Sequence, residues 1–197
     1  MKIYFHLNTE TFSNSYLIVN EKTMEALIVD PSKITTKMIN QIEYGNYTLK
    51  AALITHKHEH HTAGLSTLKK IYDIEVFAAD PEISGEENML NGDGHIKVCG
   101  LEISYFAVPG HSSDSLIYEI GNEVFTGDVI SAGLIGESSC SYNHTRLMNG
   151  IREKIFSMPD SNLIFPGHGP LSSVGAEKMF NVELGEKRNW EHSEPQL

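Results

Sequence analysis

The amino-acid sequence predicts an α/β fold. Two observations carry that prediction. Short apolar runs of strand length alternate along the chain with stretches of helical periodicity. Four of the runs also end in a turn that delivers a histidine or an aspartate, a habit of sheets that carry chemistry at their strand ends. With 197 residues the chain is long enough to bury one good core, so residues 1–184 are read as one domain and 185–197 as a polar, flexible tail.

The elements follow in order. The apolar runs 16–19 and 26–29, split by Asn20, Glu21, Lys22 and Thr23, read as a hairpin whose second strand stops at Asp30 and Pro31. A helix is expected over 34–44, where Ile34, Met38, Ile39 and Ile42 share a face, with Gly45 ending it. Residues 51–54 read as a buried strand, 65–72 as a helix and 75–79 as a strand. Residues 81–94 are polar and read as a loop. Four strands are expected at 96–98, 102–108, 115–120 and 123–125, then a helix at 151–156, a strand at 162–165 and a helix at 174–184.

Hydrophobic residues make up 40% and charged residues 21%, which excludes a disordered chain. The net charge of -11 argues against nucleic acid and against anionic membranes, both of which reward a basic surface. The apolar stretch before Asn8 is too short for a signal-peptide core, and no stretch approaches the ~18 apolar residues of a membrane span, so a cytoplasmic protein acting on a small molecule is expected. Cys99 and Cys140 have no CxxC partner and read as free thiols, Cys99 buried and Cys140 in a polar segment, with a place on the pocket rim left open. Nothing in the sequence fixes the oligomeric state.

The chemistry is concentrated after the strand at 51–54. His56, His58, His60 and His61 fall within six residues. Neutral imidazole is a good metal donor near pH 7. A two-residue spacing in extended backbone puts His56 and His58 on one side of the chain. Three later strand ends have the same design: Val108-Pro109-Gly110-His111, Phe125-Thr126-Gly127-Asp128 and Phe165-Pro166-Gly167-His168. Each alone is an ordinary turn; four in one chain point to a metal centre.

These residues resemble the metallo-β-lactamase fold superfamily, whose first motif is His-x-His-x-Asp-His. Here it reads His56-Lys57-His58-Glu59-His60-His61, with His111, Asp128 and His168 following in the family's order and Asp30 matching its structural aspartate. The resemblance spans roughly residues 14–184. It is greatest to the short glyoxalase II-like thioesterases, through Pro109-Gly110-His111-Ser112, Phe125-Thr126-Gly127-Asp128 and Pro166-Gly167-His168-Gly169-Pro170, and through Gly175, Ala176, Glu177, Lys178 and Asn181. The segment 136–139 departs from that group, and its helical C-terminal domain has no counterpart within these 197 residues.

The resemblance implies an αβ/βα four-layer sandwich and a metal-dependent hydrolase. One ion would be held by His56, His58 and His111, a second by residue 60, His61 and His168, with Asp128 bridging. A metal-bound hydroxide would attack a thioester or ester carbonyl. Zinc is expected, as one or two ions; iron and manganese are alternatives. His60 stands where the family has Asp. It can ligate as a neutral donor, point away and leave the second position weak, or carry a proton beside the reacting water, so His60 and Asp128 are the candidate catalytic residues. Retained ligation is the expectation, and Glu59 should face elsewhere.

Two rivals remain. Persulfide dioxygenases share the fold and use one iron, which His56, His111 and Asp128 could hold. A non-catalytic metal-binding relative is the other. Specificity should lie on loops 81–94 and 131–144, where Tyr142 and His144, with Arg146 just beyond, face either the pocket or the surface.

Overall fold

The computed structural model describes residues 1–185, and the expected flexible tail lies, apart from Gly185, outside the described residues. Its organising feature is a pair of sheets packed face to face with helices on their outer sides. Strands β1 (Lys2–Asn8), β2 (Ser13–Asn20), β3 (Glu25–Val29), β4 (Thr48–Leu53) and β5 (Glu75–Phe77) form the first sheet in that order. β1, β2 and β3 pair antiparallel, and β3, β4 and β5 run parallel. All eight residues of β2 are buried, as a strand covered on both faces must be.

The second sheet contains β6 (Gly94–Val98), β7 (Leu101–Ala107), β8 (Leu116–Ile120), β9 (Glu123–Gly127), β12 (Leu163–Pro166) and β13 (Ser172–Ser173), in the spatial order β13-β12-β9-β8-β7-β6. A small hairpin of β10 (Ile130–Ser131) and β11 (Leu134–Ile135) stands apart from it. β9 and β12 run parallel, so both send their C-terminal ends to the same edge.

Side-chain alternation assigns the layers. Tyr16, Ile18, Leu27, Val29 and Leu53 of the first sheet pack against Ile103, Leu116, Tyr118, Phe125 and Phe165 of the second. Their neighbours Leu17, Val19, Ile28 and Ala52 face the opposite way, onto Met38 and Ile42 of α1 (Thr36–Tyr44) and Leu65 and Leu68 of α3 (Leu65–Ile71). On the far side Ile117, Val124 and Ile164 meet Leu147 of α5 (Ser141–Gly150), Ile151 and Ile155 of a following π turn, and Val174 of α6 (Val174–Phe180). This is the expected helix–sheet–sheet–helix sandwich.

The structure corrects several boundaries. The Thr35 side chain accepts from the Met38 amide and caps α1, so Ile34 precedes the helix. The strand expected to reach 79 ends at Phe77, and the final helix ends at Phe180. The loop expected at 81–94 opens with a one-turn helix, α4 (Pro81–Ser84), capped by Asp80. The loop expected at 131–144 holds β11 and the start of α5, whose apolar anchor Leu147 lies among polar residues that hide the period. The helix expected at 151–156 is the π-turn continuation of α5. Among the described residues no helix is long and apolar enough to cross a membrane.

Candidate metal centre

Apart from His60 and His61, the ligand-type side chains at the centre lie just past the C-terminal ends of strands. Asp30 follows β3; His56 and His58 follow β4; His60 and His61 lie on the short helix α2 (Glu59–Thr62); His111 follows β7; Asp128 follows β9; His168 follows β12. Two glycines permit the approach. Gly127 takes φ +50°, a left-handed conformation that a side chain resists, at the point where β9 turns against Thr55. A Cβ on Gly167 would lie 2.5 Å from His61 Cε1 and 2.6 Å from Asp128 Oδ1.

Hydrogen bonds fix which nitrogen of each ring faces inward. Thr55 Oγ1 donates to Asp30 Oδ2 at 2.7 Å and therefore accepts from His56 Nδ1 at 3.0 Å. The His56 Nε2 lone pair then points into the site. His111 Nδ1 donates to the Glu137 carbonyl at 2.9 Å, which leaves His111 Nε2 as a lone pair. Both nitrogens meet His58 Nδ1, at 3.0 and 3.1 Å. One proton at most can sit between these three atoms, so two lone pairs face each other across a partly buried space. A cation satisfies that set and a hydrogen bond does not.

In the second half the imidazoles face carboxylates rather than one another. His61 Nδ1 lies 3.1 Å from Asp30 Oδ2, while its buried Nε2 has no hydrogen-bond partner and faces Asp128 Oδ2 at 3.3 Å. His60 Nε2 lies 3.8 Å from the same oxygen, and His168 Nδ1 lies 2.7 Å from Asp128 Oδ1. Donor atoms of His56, His58, His111 and Asp128 all lie within 4.8 Å of one another, and so do those of His56, His60, His61 and Asp128. The residues present therefore fit a metal; His56 and Asp128 belong to both groups, and His168, expected as a ligand, belongs to neither but bonds Asp128.

Burial and neighbouring charge set the protonation. His56 is pushed down to about 2 by its burial and by His61, against the pull of Asp128, so it is a neutral donor. His58 is lowered by burial and His111, and His60 by burial and His61. Burial also opposes charge on His61, but Asp30 and Asp128 outweigh it and raise it to about 9. Asp128 resists burial through its contacts with His168 and His61 and is held far below the usual carboxylate range.

The centre opens into a cavity of about 540 Å³ lined by His58, His60, His111, Asp128, His168 and the segment carrying Ser131, Gly136 and Glu137. A neighbouring cavity of about 490 Å³ shares only His60 with the centre, so the chemistry belongs to the first. Glu59 is exposed in the first turn of α2 and joins neither donor group. Tyr142 is exposed with Arg146 over its ring, and His144 Nε2 pairs with Glu183 at 2.9 Å; none of the three is on the cavity wall.

Three residues that no motif marked support the ligands. Thr55 orients His56, and the Glu137 carbonyl orients His111. Buried Asn14 holds the His168 turn: its Nδ2 donates to the carbonyls of Pro166 at 3.0 Å and Gly169 at 2.8 Å, and its backbone N–H to Gly167 at 2.7 Å. Asn14 lies in the polar stretch before the apolar run 16–19, so no local signal marked it.

Known proteins resemble this chain in sequence and fold. The profile of the metallo-beta-lactamase superfamily matches residues 8–86. An uncharacterized protein of Treponema pallidum is 31% identical, over 88% of this chain and 94% of its own. The hydroxyacylglutathione hydrolase GloC of Haemophilus influenzae is 26% identical, over 89% of this chain and 95% of its own. The crystal structure of ETHE1 from Myxococcus xanthus superposes with a TM-score of 0.83 at 25% identity, covering 93% of this chain and 84% of that one.

Proposed function

The chain belongs to the metallo-beta-lactamase superfamily, and on that premise we propose that it is a metal-dependent hydrolase of a thioester or ester. The observation that carries the proposal is Asp128, whose carboxylate takes part in both donor groups on the wall of one cavity. In this reading His56, His58 and His111 hold one ion, His60, His61 and His168 hold a second, and Asp128 lies between them. Zinc suits the imidazole-rich set, with iron and manganese as the other metals considered. Ions bound there would polarise a carbonyl oxygen and lower the pKa of water to about 7.

The chain's own groups prepare that chemistry. Thr55 and the Glu137 carbonyl hold His56 and His111 with their lone pairs inward, and Asp30 holds His61. These fixed tautomers save reorganisation when the site is loaded. The cavity, with His60 on its wall, accepts a small molecule. The similarity to a hydroxyacylglutathione hydrolase supports a glutathione thioester as substrate. Both cysteines are free thiols, which suits a cytoplasmic setting.

The test is a panel of 2-hydroxyacyl thioesters of glutathione and of coenzyme A, offered to zinc-loaded and chelator-stripped protein. Zinc-dependent release of free thiol is expected. Oxygen uptake with a glutathione persulfide by iron-loaded protein, and no thioester cleavage, would replace this reading with a dioxygenase that uses His56, His111 and Asp128. The similarity to ETHE1 is the observation that favours that second reading.

A further inference from the structure

Glu177 on α6 is a carboxylate only 2% exposed, and it belongs to neither donor group. Its hydrogen-bond partners are all neutral. The Gly133 N–H donates to both of its oxygens at 3.1 Å, the Ser172 hydroxyl donates to Oε1, and Asn181 Nδ2 donates to Oε2 at 2.8 Å. Asn181 Oδ1 accepts the amides of Glu183 and Leu184, so its Nδ2 is the end that meets Glu177. The adjacent Lys178 is engaged by Asp160 instead. A buried carboxylate without a cation is costly, and the full set of donors is what offsets that cost.

Gly133, at φ +80°, is part of the turn of the β10–β11 hairpin, and its carbonyl accepts the Val182 N–H at 2.9 Å. Both of its backbone polar groups are thus tied to α6 and the residues just after it. The hairpin in turn links two ligands of the centre. β10 begins two residues after Asp128, and β11 leads into Gly136 and Glu137. A Cβ on Gly136 would lie 1.9 Å from the Asp128 backbone carbonyl oxygen and 3.2 Å from His111 Cβ, so the hairpin exit is seated against both. One residue on, the Glu137 carbonyl accepts from His111 Nδ1 at 2.9 Å, and Ser131, Gly136 and Glu137 line the cavity. We propose that Glu177 is a positioning residue for the centre: by holding the Gly133 turn it keeps the Glu137 carbonyl on His111 and the cavity wall in place. The proposal rests on the metal-centre reading above and adds a residue on the outer helix layer that governs it.

The experiment uses the full-length chain as wild type, Glu177→Ala, Glu177→Asp and Glu177→Gln, with circular dichroism to check folding. Alanine removes the acceptor, and aspartate is one methylene too short to reach Gly133 from α6. Glutamine can accept from Gly133 and Asn181 through Oε1 while its Nε2 donates to the Ser172 oxygen, so it should rescue. Zinc affinity, read by competition with a chromophoric chelator, is expected to fall about 10–100-fold in the alanine and aspartate variants and to stay near wild type in glutamine. Proton exchange at the ring nitrogens, read by NMR on zinc-loaded protein with labelled histidine, should quicken at His111 Nδ1 in the same two variants. The His61 Nδ1 proton, facing Asp30 Oδ2 at 3.1 Å, should stay protected, a split that a general loss of stability does not produce. Unchanged zinc affinity and unchanged His111 protection in folded alanine and aspartate variants would overturn the inference. Free exchange of the Gly133 amide in wild type would overturn it too, even if neither variant folds. Either result leaves the metal-centre reading standing as long as wild type binds zinc; a wild type that binds none sinks both.

Discussion

Asp30 Oδ2 lies 3.1 Å from His61 Nδ1, and that oxygen also accepts the Thr55 hydroxyl that steers His56. A single buried carboxylate thus orients one member of each half of the centre. The backbone at Asp30 takes φ +49°, a left-handed conformation that short polar side chains tolerate better than others. Asp30→Asn keeps the shape but loses the charge that holds His61 in place. Supporting groups of this kind are worth roughly 10–100-fold in metal affinity. Zinc titration against a chromophoric chelator should show a loss of that size; unchanged affinity would remove Asp30 from this role.

Gly167→Ala tests the close approach of the His168 turn. The new methyl would lie 2.5 Å from His61 Cε1 and 2.6 Å from Asp128 Oδ1, so the turn or the ligands must shift. Metal retention should collapse with a destabilisation of about 1–3 kcal/mol, the usual cost of overpacking. Elemental analysis together with urea unfolding separates the two effects. Full metal content would show that the turn moves freely.

Asn14→Ala removes two donors to the turn that carries His168. The exposed Gly169 carbonyl can turn to water and the buried Pro166 carbonyl keeps the Tyr16 hydroxyl at 2.6 Å, so the cost is that of the bonds themselves, about 0.5–1.5 kcal/mol each. His168 should become mobile, and metal content should fall by the ion on its side while the ion at His56, His58 and His111 stays. Loss of both ions or of neither would contradict this. Serine at the same position, able to make one of the bonds, should recover part of the effect.

Cys99 and Cys140 should differ in reactivity. Burial pushes the Cys99 thiol up to about 12, and its Sγ donates to the Ala26 carbonyl at 3.3 Å, whereas Cys140 is exposed. A maleimide at pH 8 should label one thiol in the folded protein and both in urea. The sign of the linkage follows from the raised value. The unfolded thiol ionises near its ordinary value of 9.0 and the folded one does not. Stability from this group is therefore present below pH 9 and lost as pH rises from 9 toward 12. Cys99→Ala should flatten that alkaline limb in urea midpoints measured across pH 8 to 11.

Much of this was legible in the chain because strands and ligands announce themselves locally. The runs at 16–19, 26–29 and 51–54 are apolar because both their faces are covered, and they are β2, β3 and β4. The helix α5 was illegible because Leu147 is its one fully buried residue, too little to set a period. β1 alternates only weakly, with His6 its one buried side chain, and pairs with β2 through its backbone.

The sequence by itself determined an alternating α/β fold and the chemical type of the centre, and its resemblance to the superfamily implied the sandwich: apolar periodicity dictates what must be buried, and a strand end followed by glycine or a histidine cluster dictates where polar ligands emerge. Only the tertiary structure decided how those ligands meet. It brought Asp128 into both donor groups, turned His60 inward and Glu59 outward, and set Asp30, Thr55 and Asn14 behind the rings. Those are distances between residues up to 155 positions apart, fixed by the packing of two sheets and by the parallel pairing of β9 with β12, and no local pattern encodes them.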